Sequence, residues 1–263
     1  MDANTNSAMP EEIKKKGMKM SDLKVGIQLY TVREPLSKDF EGTLHQLAEM
    51  GIRGVELAFF YGGLEPDALA KLMKKLKMET CGIYESFDAL CNPGDKVYEY
   101  ARALGCTYLT SGLGLQAFKD DFAGCVATFK KACTVAGAKG MTVCYHAHTH
   151  EFEQINGEYI LDKILAEVPE MAFEADTAWI QCGGVDPAGY IKKHLNRIPL
   201  VHFKDVKADQ TITELGAGVV DFPAVMQVIR GSNTGWINYE QDSTTLTPLE
   251  STKISMDYLK KII

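Results

Sequence analysis

The chain has 263 residues, 46% of them hydrophobic and 24% charged, which is enough apolar material for one large core beneath a polar surface. A formal net charge of -7, with no cluster of Lys or Arg to offset it, sets the chain against nucleic-acid phosphates, so no nucleic-acid partner is expected. No stretch reaches the roughly 20 apolar residues that cross a bilayer, which argues against a membrane-spanning protein.

The seven cysteines are odd in number and scattered through apolar segments, as suits reduced thiols in a reducing compartment better than a disulfide framework. Residues 1–22 are polar and lack the apolar core of a secretory signal. They read as a flexible lead-in to a domain over residues 23–263, and together with the cysteines they point to the cytoplasm, a signal removed upstream being invisible in this sequence.

From residue 23 onward short β-branched or apolar runs alternate with amphipathic stretches, the pattern of repeated βα units. Strand one is expected over 25–32 (VGIQLYTV), followed by a helix in which Leu44, Leu47 and Met50 recur at helical spacing and Gly51 ends the run. Strand two starts at Gly54, strand three spans 80–85 after a helix over 66–76, and strand four spans 106–110. The long segment FAGCVATFKKACTVAGAKG reads as a helix leading to strand five, 141–146. Strands six (171–176), seven (199–204) and eight (236–240) follow, each after its own helix. Strict alternation of eight strands and eight helices predicts an α/β fold, a single-domain (β/α)8 TIM barrel, since a doubly wound sheet has fewer strands and leaves open edges.

In such a barrel the reactive groups stand at the C-terminal strand ends. The second half supplies His146, then His148, His150 and Glu151, with Asp176, His202 and Glu240 closing the next three strands. Nitrogen and oxygen donors converging from consecutive strands predict a divalent-metal site suited to Mn2+, Zn2+, Co2+ or Mg2+, with imidazole favouring the transition metals. Of the three histidines in HAHTHE only one or two can reach the ion, the others serving the loop backbone or supporting a ligand.

The segments VGIQLYTVRE, GIRGVELA, YHAHTHEFE, FEADTAW, VHFKD and NYEQD resemble those of the xylose isomerase-like barrels, the sugar phosphate isomerases and epimerases. The likeness runs over nearly the whole chain after residue 22. It implies metal ligands of the order Glu, Asp, His, Glu from strands five to eight, of which the last three correspond to Asp176, His202 and Glu240. The first departs, because this chain has His146 at the end of strand five and Glu151 five residues later, and either completes the set.

The resemblance implies a metal-dependent sugar isomerase or epimerase that transfers a proton next to the carbonyl of a keto-sugar or sugar phosphate, with Glu240 on one face and Glu151 or His148 on the other. The histidine substitution leaves room for a metal-dependent dehydratase or lyase on a keto-polyol or 3-keto-glycoside, as in inosose dehydratase-like relatives, and for a non-catalytic sugar-binding barrel. Lys204 is placed to neutralise an oxyanion, Glu56 to bind substrate hydroxyls, and Trp179 and Tyr30 to pack against a sugar ring. The expected partner is a small-molecule carbohydrate, with homo-oligomers implied by the resemblance. The glycines of ELGAGVVDF, at 216 and 218, give a weak signal for an anion-binding loop, short of a phosphate-loop pattern.

Overall fold

In the computed structural model, which describes residues 23–263, eight parallel strands close into a barrel; the expected lead-in over residues 1–22 lies outside the described residues. The barrel strands are β1 (Lys24–Gln28), β2 (Gly54–Ala58), β3 (Glu79–Tyr84), β4 (Tyr108–Ser111), β5 (Thr142–His146), β6 (Ala172–Asp176), β7 (Leu200–Phe203) and β8 (Trp236–Tyr239). Their order around the barrel is β1-β8-β7-β6-β5-β4-β3-β2, so neighbours in space are neighbours in sequence and the sheet has no open edge.

The helices form the outer layer because their apolar residues fall on one stripe. In Pro66–Leu76 the buried residues are Leu69, Leu72, Met73 and Leu76, spaced by three and four, while Pro66 opens the helix and Lys77 closes it in a left-handed conformation. Arg197 ties the second half together from outside, its guanidinium donating to the carbonyls of Leu165, Val168 and Met171.

The structure shortens some expected strands. β1 stops at Gln28, whose side chain accepts from Tyr30 N at 3.2 Å and turns LYTV into a 3-10 helix, Leu29–Val32. β7 stops at Phe203, so Lys204 stands just beyond it. Two short hairpins were not anticipated: Gln154–Ile155 with Glu158–Tyr159, and Asp205–Val206 with Ile212–Thr213. The first is turned by Asn156 and Gly157, both at positive φ, an Asn-Gly signal legible in the sequence.

Inside the upper half of the barrel the wall is polar. Gly26 and Gly82 make that possible, because a Cβ would lie 2.5 Å from Asn238 Oδ1 at the first and 3.1 Å from Glu56 Cγ at the second. No helix among the described residues is long and apolar enough to cross a membrane.

Candidate metal centre

Register brings the expected donors together. Asp176 pairs with His202 across β6 and β7, and His202 with Asn238 across β7 and β8; Glu240 follows the end of β8, its N–H donating to Phe203 O. His146 ends β5 opposite Glu174. His146, Asp176, His202 and Glu240 each offer one ligand atom, all within 4.8 Å of one another, and all four side chains are buried. Of the two candidates for the first position, His146 stands with the other three and Glu151 does not.

The local sequence explains why. Asp176 caps the helix Thr177–Cys182: its Oδ1 accepts from Ala178 N and Trp179 N at 2.9 and 3.0 Å, which leaves Oδ2 aimed away from the cap. Thr177 fastens β6 to β7, donating to Lys204 O and accepting from Lys204 N. Glu151 is fully buried but faces elsewhere, with Oε1 accepting from Tyr145 OH at 2.6 Å and Oε2 from His148 N at 2.8 Å. The structure does not bring Glu151, expected as a ligand or as the facing acid/base, into the cluster: hydrogen bonds from Tyr145 and the loop after β5 hold both its oxygens. His150 also turns away, its Nε2 lying 2.8 Å from Leu113 O.

Two carboxylate oxygens of the cluster are open to a cation. Asp176 Oδ2 and Glu240 Oε2 make no well-formed hydrogen bond, although Lys204 Nζ stands 3.2 and 3.0 Å away. Burial disfavours ionised Asp176 and Glu240, but Lys204 and the adjacent histidines outweigh it and hold both carboxyls below their ordinary range, Glu240 far below. Burial likewise opposes charge on His202, yet the Glu174, Glu56 and Glu240 carboxylates overcome it and push its pKa well above that of a free histidine. Orphaned carboxylate oxygens beside two imidazoles are the donor set a divalent transition ion takes. The residues fit such an ion.

Beneath this set lies a second buried group that the sequence reading did not foresee. His202 Nε2 is 2.7 Å from Glu56 Oε2 and 3.2 Å from Glu174 Oε1, and Asn238 Nδ2 donates to Glu56 Oε2 at 3.1 Å. Glu56, expected to bind substrate hydroxyls, is placed fully buried inside the barrel, against His202 and Asn238 and outside the lining of the mouth. Nε2 of His202 faces Glu56 and Nδ1 faces His146 and Glu240, so a bound ion that displaced the proton from Nδ1 would leave Nε2–H donating to Glu56. Glu174, two residues before Asp176, could have been found by strand alternation, which puts both on one face.

Lys204 is also deeper than expected. Its Nζ contacts Asp176, Glu240 and Asp242, the last at 2.9 Å, with the Trp179 ring 4.6 Å away, and it is 1% exposed. These carboxylates outweigh the cost of burial, so the ammonium is retained. It neutralises the ligand carboxylates and does not line the mouth.

The mouth itself is a cavity of about 280 Å3 lined by Gln28, Tyr30, Phe59, Tyr84, His146, His148, Glu240 and Asp242. Tyr84, Asp242 and Phe59 are additions to the expected site, and Asp242 was legible as the second residue after Glu240. His148 is shared with a neighbouring hollow of about 530 Å3, where Trp179 and His150 lie. Trp179 thus faces the side hollow and not the mouth. The glycine loop is spoken for as well: the amides of Gly216, Gly218 and Val220 donate to buried Asp205 at 2.9, 2.9 and 3.2 Å, so an internal carboxylate takes the place of an anion.

The family model of the xylose isomerase-like TIM barrel matches residues 44–262. Among curated proteins, the inosose dehydratase of Klebsiella pneumoniae subsp. pneumoniae is 32% identical over 152 residues, 48% of this chain and 50% of that protein, so the chain spans about half the length of such relatives. The inosose dehydratase of Bacillus velezensis is 23% identical over 261 residues, covering 82% of this chain and 86% of the relative. A sugar phosphate isomerase/epimerase from Parabacteroides distasonis superposes with a TM-score of 0.74 at 22% identity, over 90% of this chain and 98% of that structure.

Proposed function

We propose that this chain, which belongs to the xylose isomerase-like TIM barrel family, is a metal-dependent dehydratase that removes water from a keto-polyol. A divalent ion held by His146, Asp176, His202 and Glu240 would polarise the substrate carbonyl and so acidify the neighbouring C–H. His148 is the proton acceptor. Geometry selects it: it lines the mouth with its ring 4.9 Å from that of His146, and its Nδ1 has no hydrogen-bond partner, while burial lowers its pKa to about 3 and keeps the imidazole neutral. The C–H electrons form the new C=C bond as the hydroxyl on the next carbon departs, and His148 returns its proton to that hydroxyl, which leaves as water. Burial, reinforced by the nearby Glu240 carboxylate, keeps the Tyr84 phenol protonated, so it orients the leaving hydroxyl by donating to it.

One observation carries this reading over an isomerase or epimerase. Inversion needs a second acid/base on the opposite face of the substrate; of the two residues the sequence offered opposite Glu240, Glu151 is turned away and doubly hydrogen-bonded, which leaves His148 alone outside the donor set. Elimination on one face needs a single group. The dehydratase names among curated relatives support the same choice.

The test is proton NMR of an inosose in D2O with Zn2+-loaded protein. Loss of one water with a new unsaturated or deoxy product is expected. Deuterium incorporation with recovery of a stereoisomer, and no loss of water, would return the assignment to an epimerase.

A further inference from the structure

The floor and the rim of the mouth differ in chemistry. The floor presents His146, His148 and Glu240, whereas the rim presents the rings of Tyr30 and Phe59, respectively 41% and 56% exposed. Large aromatics left this open normally mark a contact surface. These two are also held in place. Phe59 lies at φ 56, a left-handed backbone that a bulky residue keeps only where its surroundings impose it; here its N–H donates to Tyr84 O at 3.2 Å and its ring packs edge-on against Tyr84 at 5.2 Å. Tyr84 in turn packs edge-on against His146 at 5.8 Å, so an aromatic path links the rim to the metal ligands. Tyr30 lies over the Arg33 guanidinium at 4.1 Å, and Arg33 is anchored by donating to Tyr30 O and Asp242 O.

The mouth holds about 280 Å3, near the low end of the roughly 300–1,000 Å3 typical of ligand pockets, so a single polyol ring fills its polar floor. Tyr30 and Phe59 both line that cavity and are open to solvent, so they are the apolar surface offered to a group attached to the ring. We infer that the substrate is a keto-sugar carrying an aromatic or flat apolar substituent, a keto-glycoside with an aryl aglycone, whose ring stacks on Phe59 and Tyr30 while the sugar occupies the floor. This rests on the keto-polyol reading of the same site. Continuity of the rim rings with the cavity, and their rigid mounting, favour a substrate group over a second copy of the chain.

The test uses binding, so that it survives a failure of the dehydratase reading. The dissociation constants of phenyl and methyl β-glucoside for the full chain loaded with Mn2+ are compared by isothermal titration, alongside Phe59→Gly and Tyr30→Leu. Glycine adopts the Phe59 backbone conformation without penalty, so the first variant removes the ring and keeps the turn. Stacking predicts phenyl over methyl by about threefold to tenfold, falling to about onefold in F59G and diminished in Y30L. Equal affinities in the parent protein, or an unchanged ratio in both variants, would overturn the inference. So would sedimentation showing a dimer that F59G converts to monomer, since the ring would then belong to an interface.

Discussion

Asp176 gives one carboxylate oxygen to the cap of the helix Thr177–Cys182 and keeps the other for the centre, so a residue type that reads equally well as helix cap or metal ligand is both. His202 divides itself in the same way, with Nδ1 toward the donor set and Nε2 toward Glu56. Burial, reinforced by Glu174, raises the Glu56 pKa to about 7, an outcome that an ion drawing His202 into coordination would alter. If Glu56 positions His202, Glu56→Gln weakens Mn2+ binding by about 10- to 100-fold, read by competition with a fluorescent chelator. Affinity equal to that of the parent would leave Glu56 a mere filler of the barrel interior. The sequence made Asp176, His202 and Glu240 legible because each lies at a strand end or one residue from it, and strand ends face the mouth. It could not separate His146 from Glu151, because that choice depends on how the loop after β5 turns, and Tyr145 OH and His148 N–H decide it.

At the scale of elements, Arg197 substitutes for part of the helix capping in the second half by saturating the carbonyls of Leu165, Val168 and Met171. Arg197→Ala leaves those carbonyls without their donor and costs about 2–3 kcal/mol, measured by urea unfolding. A loss within about 0.5 kcal/mol would mean that water replaces the guanidinium. The barrel strands were readable because parallel strands buried on both faces stand out as apolar runs between amphipathic helices. The bends at their ends were not, since Gln28 and Lys204 continue the strand pattern in sequence while local hydrogen bonds turn the chain. The glycines at 216 and 218 misled for a similar reason: the anion they bind is Asp205, which lies in a hairpin that periodicity does not reveal.

Across the whole molecule, the closed barrel gathers four donors from the ends of four consecutive strands around one point, and the ends of β1, β2 and β3 with the turns after them contribute most of the rest of the mouth. Fold, donor set and a keto-polyol reaction thus stand at increasing distance from what a sequence can specify, because the reaction depends on which side chains face each other across an open cavity. The centre is what everything else presumes. The direct measurement is anomalous diffraction from crystals of the Mn2+-loaded chain, with His202→Ala alongside. One strong peak bounded by His146, Asp176, His202 and Glu240, lost in His202→Ala, is the result expected. A peak coordinated by Glu151, or a peak that persists unchanged in His202→Ala, would contradict the account.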